Sequence, residues 1–143
     1  MDGNLVAKAT TSIHASSDDV WQALVDPQAI KQYMFGADVE TDWREGGPIT
    51  WKGEFKGKHF EDKGRVLEVD MGRRLRYTHF SPLSGLPDKP ENYHNVVIEL
   101  ADEGDDSTRV TLTQDHNADE KARKHSEENW SAMLQGLKKY VEQ

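Results

Sequence analysis

The sequence predicts an α+β fold in which a twisted antiparallel sheet of about seven strands wraps around a long C-terminal helix. Three observations lead to this prediction. Segments in which apolar and polar residues alternate with a period of two fill the middle of the chain. Two short helical segments follow the first strand, and residues 118–142 have the apolar spacing of one long helix. The 143 residues fit a single domain that spans 1–143.

The first strand is predicted for residues 5–13, and two short helices follow it. Ser16 can cap the first helix, with Asp19 at the position of a capping-box acid. Pro27 suits the first position of the second helix, and Gly36 suits its end. These residues therefore predict two separate short helices.

The remaining strands are predicted from the same period-two alternation at 37–43, 49–55, 59–69, 75–80, 93–100 and 108–115. Residues 81–91 contain three prolines, which predicts a long loop that gates a binding site. Asn117 is the predicted cap of the last helix, with Glu120 as its partner. Gly136, inside that helix, indicates either close packing or a tolerated kink.

Composition and charge limit the classes of function. The 26 acidic and 18 basic residues give a net charge of −8, which argues against nucleic acid and membrane surfaces as partners. No apolar run reaches the roughly 20 residues that a membrane helix needs. The acidic start of the chain lacks the pattern of a secretory signal, so we expect a cytoplasmic location. The absence of cysteine excludes disulfides and thiolate metal ligands.

A curved sheet that wraps around one helix tends to leave a space between them, and such concave, apolar spaces bind small molecules. We expect the ligand to be apolar or amphipathic and to lie between the sheet and the last helix. The alternative for each aromatic or aliphatic candidate is that it simply fills the core. The candidate apolar lining consists of Trp51, Phe55, Tyr77, Trp130, Met133 and Leu137. The candidate polar anchors, all expected on inward faces, are His79, His94, Gln114 and His116.

Neither a metal site nor a catalytic residue is predicted. The six histidines show no close ligand spacing of the H-x-x-x-H kind, so no metal and no cofactor are expected. No serine lies in a G-x-S-x-G turn, which argues against a hydrolase. A histidine in an apolar pocket could act as a general acid or base, or equally as a hydrogen-bonding partner of a ligand.

Several segments resemble the START-related superfamily, which has the helix-grip fold and includes polyketide cyclases and the birch-pollen allergen. They are residues 15–27 (ASSDDVWQALVDP), 64–70 (GRVLEVD), 74–77 (RLRY) and 130–140 (WSAMLQGLKKY). Together with residues 108–113, they are most similar to the branch that includes the C-terminal domain of the activator of heat-shock protein 90 ATPase. Two residues depart from the common pattern: Asn129 replaces a glycine and Tyr33 replaces a tryptophan.

The sequence thus favours a ligand-binding module, with two alternatives left open. The resemblance implies that the chain could instead contact a chaperone or another protein, or form a homodimer. It also implies, more weakly, a cyclase-like enzyme. A partner surface should show a large exposed apolar patch, whereas a ligand module should show an enclosed cavity.

Overall fold

The computed structural model describes residues 5–34, 36–55, 57–82 and 85–143. Its strands form one antiparallel sheet, and a long helix follows the last strand. The predicted fold class is confirmed. The strands are β1 (Leu5–Ile13), β2 (Asp38–Glu40), β3 (Pro48–Phe55), β4 (Lys58–Asp70), β5 (Arg74–His79), β6 (His94–Gly104) and β7 (Ser107–Asn117). Their order in the sheet is β1-β7-β6-β5-β4-β3-β2. The helices are α1 (Ser17–Val25), α2 (Pro27–Tyr33) and α3 (Glu120–Val141), with a short 3-10 helix at Pro90–Asn92.

The helix starts follow local capping chemistry, with one correction. Ser16 accepts a hydrogen bond from the backbone N–H of Asp19 at 3.2 Å, as predicted for α1. The cap of α3 is Asp119, which accepts from the N–H of Ala122 at 2.8 Å, so the prediction of Asn117 is wrong. Asn117 ends β7 instead, and its buried side chain is used in tertiary hydrogen bonds.

The second strand is shorter than the predicted 37–43, because only Asp38–Glu40 pairs with β3. The backbone of Trp43 is left-handed, with φ of 58°, which is incompatible with an extended strand. Its indole N–H donates to the carbonyl of Val25 at 2.9 Å and thereby contacts the end of α1. At this tertiary contact the chain leaves the extended conformation that the alternation predicts.

The core lies between the concave face of the sheet and the apolar stripe of α3. Met133, Leu134 and Leu137 on that stripe are buried, and α1 and α2 add further buried side chains. No described helix is long and apolar enough to cross a bilayer. The C-terminal half of α3 therefore braces the sheet, and the space beside it becomes the candidate site.

Candidate functional site

A cavity of about 310 Å³ lies between the sheet and α3. Each of four adjacent strands, β4 to β7, contributes one side chain to its wall, and α3 contributes four. A second space of about 130 Å³ adjoins it and shares Met34, Asp62, His79 and Trp130 with it. The larger space is lined by Met34, Asp62, His79, His94, Gln114, Ser126, Asn129, Trp130 and Met133.

Aromatic rings dominate the smaller space. Trp51 and Tyr77 meet there with ring centroids 5.2 Å apart, and Phe60 and Trp130 complete the ring of aromatic walls. The rings of His79 and Trp51 make an edge contact with centroids 5.2 Å apart. These rings would hold a flat apolar group, since tilted and edge contacts are favourable for aromatic pairs.

Asp62 and His79 form a hydrogen-bonded pair in the wall between the two spaces. Nε2 of His79 lies 2.8 Å from Oδ2 of Asp62, and both side chains are largely buried. Oδ1 of Asp62 is buried and has no hydrogen-bond partner in the described part of the chain. Such an atom is costly unless a group outside the chain compensates it.

Sequence reasoning missed Asp62, although a signal was present. In the hairpin of β3 and β4, Asp62 pairs directly with the inward-facing Trp51. The inward positions of β4 therefore run through Phe60, Asp62, Gly64 and Val66, and an acid in such a row is unusual. A charged residue at an inward position of a strand is the mark of a functional candidate.

His94 is held in one tautomer by the backbone. Its Nδ1 lies 2.8 Å from the carbonyl oxygen of Asp115, and a carbonyl only accepts, so Nδ1 carries the hydrogen. Burial lowers the pKa of His94, which keeps the ring neutral at neutral pH and leaves Nε2 without a hydrogen. The ring stacks on that of His79 with centroids 6.2 Å apart. Two imidazoles thus lie side by side in the cavity wall.

Gln114 lines the cavity, but its amide is engaged by the protein. Its Oε1 accepts the indole N–H of Trp130, and its Nε2 donates to Asn117 at 3.4 Å. Oδ1 of Asn117 also accepts from the hydroxyl of Ser126 at 2.8 Å. This network joins β7 to α3 and so sets the position of the cavity wall.

Three candidate residues differ from expectation. His116 was expected on an inward face, but its side chain is exposed, because its backbone is left-handed with φ of 60° and interrupts the alternation of β7. Leu137 is fully buried in the core and lines neither space. The side chain of Phe55 lies outside the described part of the structure. The structure brings together Trp51, Tyr77, His79, His94, Gln114, Trp130 and Met133.

The loop at 81–91 does not lie over the cavity, as far as its residues are described. Tyr93, just after it, stacks on Phe80 at 5.0 Å and donates its hydroxyl hydrogen to Asp88 at 2.6 Å. Asp88 also pairs with Lys63 on the outer face of the sheet. The predicted gating role is therefore wrong for these residues, because their contacts hold them against the opposite face. Leu83 and Ser84 lie outside the described residues.

The lining chemistry suits the recognition of a small molecule. Asp62 supplies the carboxylate, and no lysine or arginine lines either space within the described residues. The same part of the chain contains no group of three side chains that could hold a metal ion. The site therefore offers aromatic surface and hydrogen-bond acceptors.

Comparison with known proteins adds evidence from sequence and fold. Residues 14–142 match the model of a family described as Activator of Hsp90 ATPase homolog 1-like protein. The solution structure of ChR145 from Cytophaga hutchinsonii is 53% identical, with a TM-score of 0.85, over 99% of this chain and 97% of that one. No curated protein sequence matches the chain.

Two more distant solved structures share the fold. The crystal structure of CV1439 from Chromobacterium violaceum is 24% identical, with a TM-score of 0.82, over 97% of this chain and 98% of that one. CalU16 from Micromonospora echinospora is 21% identical, with a TM-score of 0.73, over 98% of this chain and 87% of that one. At this level of identity the likeness concerns the fold alone.

Proposed function

The chain belongs to the family of Activator of Hsp90 ATPase homolog 1-like proteins, and from this premise we propose that it binds an apolar or amphipathic small molecule between the sheet and α3. Proteins with this START-related, helix-grip fold include ligand-binding and polyketide cyclase-like domains. We further propose that the chain acts in the cytoplasm, a location that its cysteine-free sequence supports.

One observation carries this proposal: a cavity of about 310 Å³ at the concave face, lined mainly by polar side chains, adjoins a smaller space with aromatic walls. Its volume falls at the lower end of the range of ligand sites, about 300–1,000 Å³. A neighbouring space deeper in the core, between Tyr33 and Leu75, measures only about 20 Å³, so packing is otherwise tight. Burial of a ligand's apolar surface here would contribute roughly 25 cal/mol per Å².

Naphthalene is a suitable first probe, because it is apolar, neutral and small. We expect saturable shifts of backbone amide resonances around Trp51, Tyr77 and Trp130 in a two-dimensional NMR titration. Native mass spectrometry of freshly purified protein would reveal any small molecule that copurifies.

A filling variant and a matched control locate the site. Met34→Trp places a larger side chain at a residue that lines both spaces and should weaken naphthalene binding. Leu67→Trp makes a similar change on the outer face and should leave binding unchanged. If naphthalene moves no resonance of the cavity wall, the ligand proposal is rejected and a protein-interaction module becomes the better hypothesis.

A further inference from the structure

We propose, on the basis of the ligand site above, that the polar group of the ligand is a neutral hydrogen-bond donor, such as an aromatic hydroxyl, and that a ring nitrogen of His79 or His94 accepts its hydrogen bond. The inference names the chemical class of the ligand. It follows from the hydrogen-bonding capacity that the protein leaves unused at the cavity wall.

The first unused acceptor is Nε2 of His94. The hydrogen bond from Nδ1 to the Asp115 carbonyl, 2.8 Å long, fixes the tautomer of the neutral ring. Nε2 then presents a lone pair, and no hydrogen bond to it forms within the described residues. The ring lies in the wall of the larger space, so a ligand can reach this side of it.

The second unused acceptor is Nδ1 of His79. Its Nε2 is 2.8 Å from the Asp62 carboxylate, which accepts only, so the hydrogen of the neutral ring lies on Nε2. Nδ1 is left with a lone pair, and no hydrogen bond to it forms within the described residues. Because the two rings stack with centroids 6.2 Å apart, the two acceptors belong to the same part of the cavity wall.

The other polar groups of the wall do not reverse this preference for a ligand that donates. The amide of Asn129 can donate or accept, so it does not discriminate between donor and acceptor ligands. The amide of Gln114 and the hydroxyl of Ser126 are already bonded to Trp130 and Asn117. The hydroxyl of Tyr77 can donate or accept, and burial raises its pKa well above the usual range, so it stays neutral. It therefore does not discriminate between donor and acceptor ligands.

Charge disfavours the other classes of ligand. An anion would enter a space that contains Asp62 and, in the described chain, no lysine or arginine. An ammonium ion would lose its hydration on entry and could pair with only one oxygen of Asp62, because the other oxygen is already bonded to His79. A neutral donor meets neither the charge repulsion nor the loss of ionic hydration, and its aromatic ring can lie against Trp51 and Trp130.

Five naphthalenes that differ in one substituent test the inference on the wild-type protein at about pH 8, where a histidine of ordinary pKa is neutral. They are naphthalene, 1-naphthol, 1-methoxynaphthalene, 1-naphthoate and 1-naphthylmethylammonium. We expect 1-naphthol to bind about tenfold more tightly than 1-methoxynaphthalene, since one hydrogen bond is gained. The two ions should bind more weakly than 1-naphthol.

Two variants identify the acceptors. His94→Leu and His79→Leu should each reduce the preference for 1-naphthol over its methyl ether, while the affinity for naphthalene is retained. His59→Leu is the control, because this ring is exposed at the surface of β4. His79→Leu leaves Asp62 without its partner, so naphthalene binding also reports whether that variant is folded.

The outcomes separate this inference from the proposed function. Equal affinities for 1-naphthol and 1-methoxynaphthalene, or tighter binding of either ion, would overturn the inference and leave the ligand site intact. Failure of every naphthalene to bind would instead reject the site itself. Nitrogen-15 NMR of the imidazoles gives an independent check: His94 should be the Nδ1–H tautomer in the free protein, and the opposite tautomer would contradict the assignment.

Discussion

Gly136 of α3 lies so close to Tyr33 of α2 that a Cβ at position 136 would be only 3.2 Å from the Cβ of Tyr33. The phenol of Tyr33 is itself fixed, because its hydroxyl donates to the carbonyl of Ala23 at 2.8 Å. Of the two interpretations that the sequence left open for this glycine, close packing is the one that the structure supports. The glycine sets the distance between the long helix and the helices that close the core.

The effect of a substitution at Gly136 on the free energy of unfolding should therefore depend on the size of the new side chain. Gly136→Ala should be nearly neutral, because about 1 kcal/mol of helix propensity is gained while the contact with Tyr33 tightens. Gly136→Val should lower the free energy of unfolding by about 2 kcal/mol, as overpacking does. Urea denaturation measures both. Ala132→Val, on the exposed face of α3, is the control and should cost about 0.5 kcal/mol.

Leu137 should contribute more to stability than Trp130. Leu137 is fully buried, so Leu137→Ala should cost about 3 kcal/mol through lost burial and the cavity left behind. Chemical denaturation with an unchanged m-value would measure this loss. A cost below about 1 kcal/mol would contradict the assignment of Leu137 to the core.

Trp130 is only partly buried and lies beside an existing cavity, so its removal should cost less than that of a core tryptophan. We expect about 2 kcal/mol for Trp130→Ala, below the range for fully buried sites. Trp130→Phe keeps the ring but removes the N–H that Gln114 accepts, which should cost about 1 kcal/mol. If Trp130→Phe matched the alanine variant, the hydrogen bond rather than packing would hold α3 to β7.

Stability should fall as the pH is lowered through the range in which His94 becomes protonated. Burial holds the pKa of His94 below its ordinary value of about 6.5, and the nearby His79 and His116 act in the same direction, against Asp115. The unfolded chain therefore binds the proton more readily. The contribution of the neutral ring is complete above about pH 6.5 and is lost as the pH falls through the pKa of the folded state.

Thermal or urea unfolding between about pH 5 and pH 8 measures this loss, a range above that in which most carboxylates titrate. His94→Gln cannot titrate and should flatten the dependence of unfolding free energy on pH. His125→Gln, at an exposed position of α3, should retain the wild-type slope. A His94→Gln variant with the full wild-type slope would assign the effect to another group.

Much of the fold could be predicted because its signals are local. The period-two alternation of Thr50 to Glu54 marks a strand whatever the strand pairs with, and Ser16 and Pro27 start helices through bonds and dihedral preferences within one turn. On the strands, site residues were predictable where the alternation continues regularly, as it does for Trp51, Tyr77 and His79. On α3, the apolar spacing of the helix predicted Trp130 and Met133. Residue type and spacing were sufficient there.

Only the tertiary structure determined the features that depend on residues far apart in the chain. The bond from Trp43 to Val25 shortens β2, and the left-handed backbone of His116 turns its ring out of the cavity wall. The pairing of Asp62 with His79 depends on the register of two hairpins, which the alternation alone does not specify. The sequence by itself therefore determined the elements and their order. The packing of these elements determined which polar groups meet, because hydrogen bonds between strands and helices depend on positions that no local pattern encodes.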